Sequence, residues 1–230
     1  MIPLRDNIPS LRPPYVNYAI IGVNVLIFLL ELSSGPHLPE VIRGLGFVPE
    51  RFLGFLGQGS FSLAIIPIFT SMFMHGGWLH LIGNMWTLFI FGDNVEDTLG
   101  RGLYLGFYLT CGLVSLITHI LFAPGSSAPV VGASGAIAGV MGAYISLFPG
   151  ARILTLIPIF LIFPVIELPA YIFLGIWFIW QFFQGAFSIV GHGAAGGVAW
   201  WAHVGGFLAG MGLIRVLAPG RVQSPWRPRF

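Results

Sequence analysis

Gly132-Ala133-Ser134-Gly135 decides the reading of this chain. An uncharged loop, Ala123 to Val131, precedes it, and the run that follows it, Ala136 to Phe148, carries no charge at all. A serine between small residues is common in aqueous loops, but this one opens a short apolar helix. Gly135, Gly139 and Ala143 recur at four-residue spacing on it, and small residues so spaced let a second helix backbone approach closely inside a bilayer. The partner is the stretch Ala202-His203-Val204-Gly205-Gly206, where Gly206 and Gly210 repeat the spacing. Packing these two helices together would bring a serine and a histidine into contact in hydrocarbon.

The composition agrees with that setting. Of 230 residues 56% are hydrophobic and 8% are charged, with mean hydropathy +0.89. Soluble domains carry about 25% charged residues, so this chain cannot cover a water-facing surface and is read as an integral membrane protein. The basic residues are ten scattered arginines with no lysine, a pattern that carries no nucleic-acid signal. Cys111 is alone, which excludes an internal disulfide and a thiolate metal cluster.

Six spans are expected. The first is Tyr15 to Leu32, bearing Asn17 and Asn24, with Glu31 at its end. It is long for the apolar core of a signal peptide and is read as retained. A long connection from Ser33 to Met74 ends in an apolar stretch broken by Pro67. The second span runs from Trp78 to Phe91 and closes in a polar turn, Gly92 to Gly102; the third is Leu103 to Phe122. The fourth starts at the Gly132-Ala133-Ser134-Gly135 stretch and stops at Pro149-Gly150-Ala151-Arg152. Residues from 153 are interfacial until a fifth span, Leu168 to Phe187, which a glycine-rich loop links to the sixth, Val198 to Leu217. Six crossings put both termini on one side, together with Arg5, Arg12, Arg101, Arg152, Arg215, Arg221, Arg227 and Arg229. Only Arg43 and Arg51 fall opposite, so both ends are expected in the cytoplasm. The expected fold class is thus an all-α polytopic membrane protein, one domain over 1–230 with cytoplasmic ends at 1–14 and 218–230.

Helix rise places the polar residues at a common depth. Counted from the inner ends of their spans, Ser134 lies about 21 Å up, His203 about 18 Å, His80 about 20 Å and Asn84 about 14 Å. In a hydrocarbon core of about 30 Å, the serine and both histidines sit about 10 Å below the outer face. Polar groups at such depth face the bundle interior or a water-filled cavity. His119, alone near the end of the third span, is read as interhelical glue. A metalloprotease would want His-Glu-x-x-His, and no glutamate accompanies His75 or His80; His75, His80 and His203 as zinc ligands would all have to converge. The aspartates stand at termini and turns, too scattered for an aspartyl pair. Nucleophilic serine catalysis remains, with a histidine as proton acceptor and donor and the Ser134 N–H at a helix start facing the oxyanion. His80 and Asn84, one turn apart, can donate to the same oxygen.

At these residues the sequence resembles the rhomboid family of intramembrane serine proteases. The resemblance rests on Gly132-Ala133-Ser134-Gly135, on Ala202-His203-Val204-Gly205-Gly206, and on His75, His80 and Asn84 in a His-x4-His-x3-Asn pattern. It implies a six-helix bundle in which Ser134 is the nucleophile and His203 the general base and acid, a dyad without aspartate. His80 and Asn84 would contribute to the oxyanion hole and His75 would be structural. The implied substrates are single-span membrane proteins cut near the outer face of a lipid bilayer, without cofactor, metal or nucleic acid. The implied setting is a bacterial inner membrane, with the site opening to the extracytoplasmic side. Glu96, Gly100 and Arg101 resemble the family's polar turn and are read as loop anchors. The chain departs from the family at Ala138, where many members place an aromatic ring on the histidine. Tyr144 or a tryptophan near His203 is the expected substitute. The competing reading is a catalytically silent rhomboid-like protein that binds membrane helices for quality control or trafficking. For the protease reading, the fifth span and the glycine-rich loop form the gate, with Trp177 or Trp180 facing the second span.

Overall fold

A computed structural model gives the fold and describes residues 1–190 and 198–222. The long helices are α1 (Tyr15–Ser33), α5 (Trp78–Leu99), α6 (Arg101–Phe122), α7 (Ser134–Leu147), α8 (Ala170–Val190) and α9 (Trp200–Leu217). Three short helices, α2 (Leu38–Leu45), α3 (Pro49–Gly57) and α4 (Phe61–Thr70), occupy the connection after α1, and α10 (Pro219–Val222) follows α9. Among the described residues, α1, α6 and Ala170–Ile189 of α8 are long and apolar enough to cross a membrane. The chain is membrane-embedded and mostly helical.

The middle of the bundle is α7. Twelve of its fourteen residues are buried, and a helix apolar all round belongs in a core. At about 1.5 Å per residue it is only about 21 Å long, shorter than the hydrocarbon core of a bilayer, about 30 Å. Small residues dictate its closest contacts. A Cβ on Gly206 would lie 2.0 Å from the Gly135 carbonyl oxygen, and one on Gly210 1.9 Å from that of Gly139. The two expected glycine rows therefore interlock α7 with α9 backbone to backbone.

The end of α5 corrects one expectation. Gly92 to Leu99 is helix, not a turn, and the reversal is confined to Gly100, whose φ is +76°. The polar side chains there have tasks that helical spacing suits. Pro14 leaves α1 without a side-chain cap, so its first N–H groups need other acceptors. Glu96 accepts from the N–H of Asn17 at 2.7 Å and of Val16 at 3.2 Å. Asp97 accepts from the N–H of Leu11, and Asn94 donates to the Ile8 carbonyl. Arg101 lies 4.6 Å from the centre of the Tyr15 ring. The anchoring role expected of Glu96 and Arg101 is what these contacts perform. Buried Asn17 bridges helices, donating to the Leu88 carbonyl and accepting from Tyr104, whereas Asn24 donates within α1 to Ile20.

The all-α expectation fails at a three-stranded antiparallel sheet, β1 (Ile2–Arg5), β2 (Arg152–Leu156) and β3 (Val165–Pro169), in the order β1-β2-β3. The segment read as interfacial is a hairpin, and α8 begins at Ala170 rather than Leu168. Prolines favour this: Pro158, Pro164 and Pro169 are each costly in a helix interior, and residues before proline are pushed to extended conformation. Pro67 behaves differently, lying inside α4 without ending it. The hinge glycines Gly191, Gly193, Gly196 and Gly197, and also Arg227 and Arg229, lie outside the described residues.

Candidate active site

Ser134 is the first residue of α7, and Gly132 aims it. Gly132 has φ +128°, and its N–H donates to the Ser71 carbonyl at 2.8 Å. A Cβ there would lie 2.7 Å from His80 Nε2, so only glycine lets the loop pass this close to the ring. The first N–H groups of a helix have no intrahelical acceptor, and those of Ser134 and Gly135 point with the positive end of the helix dipole.

From α9, His203 meets the serine. Ser134 Oγ lies 2.7 Å from His203 Nε2, and His203 Nδ1 lies 2.7 Å from Gln181 Oε1 on α8. A carbonyl oxygen only accepts, so Nδ1 carries the hydrogen and Nε2 is left to accept from the serine hydroxyl. The three side chains form one relay from α8 through α9 to α7. Gln181 is buried at 5% exposure. Sequence reasoning missed it; a glutamine in the middle of a span expected to be uniformly bulky and apolar was the available signal.

Two tryptophans flank the imidazole. The Trp177 ring centre is 5.9 Å from that of His203 at 35°, and Trp200 stands 6.3 Å away edge-on. Of the two substitutes expected for the ring absent at Ala138, a tryptophan is therefore the one present. Tyr144 is not at the histidine. It packs against Phe91 and Phe148 and donates to the Asp6 carboxylate at the other end of α7.

His80 and Asn84 converge on Gly132 from α5: the same hypothetical Cβ would be 3.6 Å from Asn84 Nδ2. That amide nitrogen is buried with no partner among the described residues, while His80 Nδ1 accepts from the Gly76 N–H at 3.4 Å. Both side chains thus have a donor left to offer beside Ser134. His75 is 1% exposed and packs edge-on against His80 at 5.1 Å, while its backbone N–H donates to Glu31. It packs against the His80 ring and does not line Ser134's cavity. His119 is buried on α6. Among the described residues no three His, Cys, Asp or Glu side chains converge to hold a metal ion.

A cavity of about 620 Å³ joins these groups. Ser134, His203, His80, Asn84 and Gln181 all line it, and so do Met1 and Pro3 of the N-terminal segment. The arrangement offers a polarised hydroxyl, a proton acceptor, and clustered N–H donors on one side of the cavity. Such a set suits attack on a carbonyl carbon.

The family model for the Rhomboid domain matches residues 63–220, which include every residue of this cluster outside the N-terminal segment. Rhomboid protease GluP of Bacillus subtilis is 35% identical over 137 residues, 58% of this chain and 25% of that protein. Rhomboid protein 1, mitochondrial, of Saccharomyces cerevisiae is 30% identical over 147 residues, 62% of this chain and 39% of its own length. The human presenilin-associated rhomboid-like protein, mitochondrial, is 29% identical over 136 residues, 58% of this chain and 33% of the relative. The chain thus spans between a quarter and two fifths of the length of these relatives. With the matched domain covering well over half of its residues, the chain belongs to the rhomboid family.

Proposed function

We propose that this protein is an intramembrane serine endopeptidase that hydrolyses peptide bonds in or near the membrane span of single-span proteins. The observation that carries the reading is the 2.7 Å contact between Ser134 Oγ and His203 Nε2, at the start of a buried helix, with donors gathered beside it. In the proposed reaction Ser134 Oγ attacks the scissile carbonyl carbon while its proton passes to His203 Nε2. The carbonyl oxygen becomes an oxyanion held by the Ser134 N–H, His80 and Asn84. Collapse breaks the C–N bond, and His203 returns the proton to the departing amine. A water then attacks the acyl ester, giving its proton to His203, and the serine is restored as the acid leaves. Gln181 keeps hydrogen on Nδ1 throughout and so positions His203 without touching substrate. No cofactor, metal or nucleic acid enters this scheme.

The proposal includes the placement of the whole chain. Residues 1–230 form one membrane domain of six spans, with α5, α7 and α9 added to the three that hydropathy alone identifies. Seven of the ten arginines then fall on one side, while Arg5 lies in β1 alongside α5; this supports a cytoplasmic start of α1, a cytoplasmic C-terminus and a site opening to the other face. A bacterial inner membrane is the setting proposed; the two relatives named as mitochondrial make a mitochondrial membrane the outcome to test against.

Purified protein treated with a fluorophosphonate tests the reading directly. Labelling that disappears in Ser134→Ala supports it. A folded wild-type protein that neither labels nor cleaves a single-span reporter is the silent binder instead.

A further inference from the structure

The N-terminal segment runs back into the bundle. Asn94, near the end of α5, donates to the Ile8 carbonyl at 3.2 Å, and Trp86, farther up the same helix, donates from Nε1 to the Pro3 carbonyl at 2.6 Å. Eight residues of helix rise about 12 Å, and five extended residues reach at most about 17 Å. Both ends of Pro3 to Ile8 are thus fixed alongside α5, and β1 points its first residues toward the start of that helix, where His80 stands. Met1 and Pro3 accordingly line the cavity that holds Ser134 and His203.

On its other side β1 pairs with β2, Ile2 opposite Leu156, Pro3 opposite Thr155 and Arg5 opposite Leu154. The sheet continues through β3 directly into α8. Lower down, Tyr144 donates to Asp6 and the Arg152 N–H donates to Asn7 Oδ1 at 2.7 Å. A peptide strand is therefore seated between α5 and the hairpin that leads into α8, reaching from the end of α7 to the active-site cavity. Its own hold on β2 is weak by construction. It has four residues, Pro3 supplies no N–H, and the register slips between Pro3 and Arg5.

We propose that the edge of β2 beneath β1 is a binding site for an extended segment of the membrane substrate, which adds to β2 in place of β1. This rests on the protease reading above. If β1 moves aside, β2 is left with unpaired N–H and C=O groups next to the active-site cavity, and such groups demand partners. An unwound peptide supplies them, by the backbone pairing through which sheet edges take up extended chains. The residue already there is the template: Ile2-Pro3-Leu4 is apolar and Arg5 is basic at the end away from Ser134. A strand docked with the same polarity runs its N-terminal end into the cavity. The scissile bond then lies on the N-terminal side of the docked segment.

Two measurements on the full chain test this. In the first, Ile2→Cys and Leu156→Cys, directly opposite in register, are oxidised to lock β1 onto β2. The probe is a maltose-binding protein fused to one leucine- and alanine-rich span with a glycine near its outer end. Locking should lower its cleavage at least tenfold, with recovery in reductant and with fluorophosphonate labelling of Ser134 kept. Cleavage at the unlocked rate, or a parallel loss of labelling, overturns the proposal. The second needs no proteolysis. Leu156→Cys is combined with Ser134→Ala, and single cysteines are walked along the span of the same fusion protein. Disulfide trapping at every second position is the expected strand signature; a period of three to four, or no trapping, overturns the inference. Absent fluorophosphonate labelling in wild type would count against the protease reading alone, since the trapping pattern is read independently of it.

Discussion

Gln181 and His203 are joined through Oε1 and Nδ1 at 2.7 Å, in the position where a serine protease of the triad type keeps its carboxylate. A neutral amide cannot offset the charge of an imidazolium, but it fixes ring orientation and tautomer. Losing a buried hydrogen bond costs about 1–3 kcal/mol, which is about five- to 150-fold in rate. Gln181→Leu should lower kcat by that factor with KM little changed, and Gln181→Glu, which keeps an acceptor oxygen, should retain more activity. Equal losses in both variants, tracked by equal drops in thermal stability, would make Gln181 a packing residue only.

How much of this was legible beforehand follows from what each signal measures. Ser134, His203 and their glycine rows could be read because depth and spacing along a helix are properties of one segment. Gln181 could not, because its meaning depends on which face of α8 turns toward α9, and a uniformly apolar helix has no periodicity to fix that face. The sheet was missed for a related reason. An apolar run of this length matches a buried strand, an interfacial segment or part of a helix by hydrophobicity alone, and only the prolines pointed elsewhere. The polar end of α5 read as a turn because its carboxylates act on another segment, the start of α1.

Ser134→Ala and His203→Ala should each abolish cleavage of a single-span reporter while leaving the protein folded in detergent. Neither side chain makes the closest α7–α9 contacts, which are those of glycines with the facing backbone. Chelators should have no effect on the wild type. Cleavage by Ser134→Ala protein free of contaminating protease, or activity restored by zinc after chelation, contradicts the assignment.

His80 and Asn84 are proposed to donate to the oxyanion, so replacing either should lower kcat more than it weakens substrate binding. The expected loss is about 10²–10³ per donor, less if the two share the role. Gly132→Ala should be as damaging, because its Cβ would meet the His80 ring at 2.7 Å. An increase in KM at unchanged kcat would place these residues in substrate binding instead.

Asp6 carries a pH dependence of stability. Burial pushes its carboxyl up to about 6 from the ordinary 3.8, against the pull of the Tyr144 hydroxyl. A carboxyl whose folded value is raised binds its proton more tightly in the native state. Its contribution is therefore fully present below about 3.8 and is lost as pH rises through about 6. Asp6→Asn, which keeps an acceptor for Tyr144, should be no more stable than wild type at pH 4 and more stable at pH 8. A difference in melting temperature that stays constant between those values removes Asp6 as the titrating group.

The gate expectation has to be re-aimed. Trp177 packs over His203 and Phe207, and Trp180 is 59% exposed, so neither tryptophan closes α8 against α5. Their aromatic contact is Phe91 with Phe173, centres 6.4 Å apart. Trp177→Ala should therefore lower activity by loosening the imidazole rather than raise it, and Trp180→Ala should change cleavage little. If α8 must separate from α5 to admit a span, bridging Phe91→Cys and Phe173→Cys with a short bifunctional thiol reagent should suppress cleavage of a membrane-embedded substrate. The same bridge should spare reaction with a fluorophosphonate, which needs no lateral entry. A bridged protein that cleaves its membrane substrate at the normal rate places the entry route elsewhere.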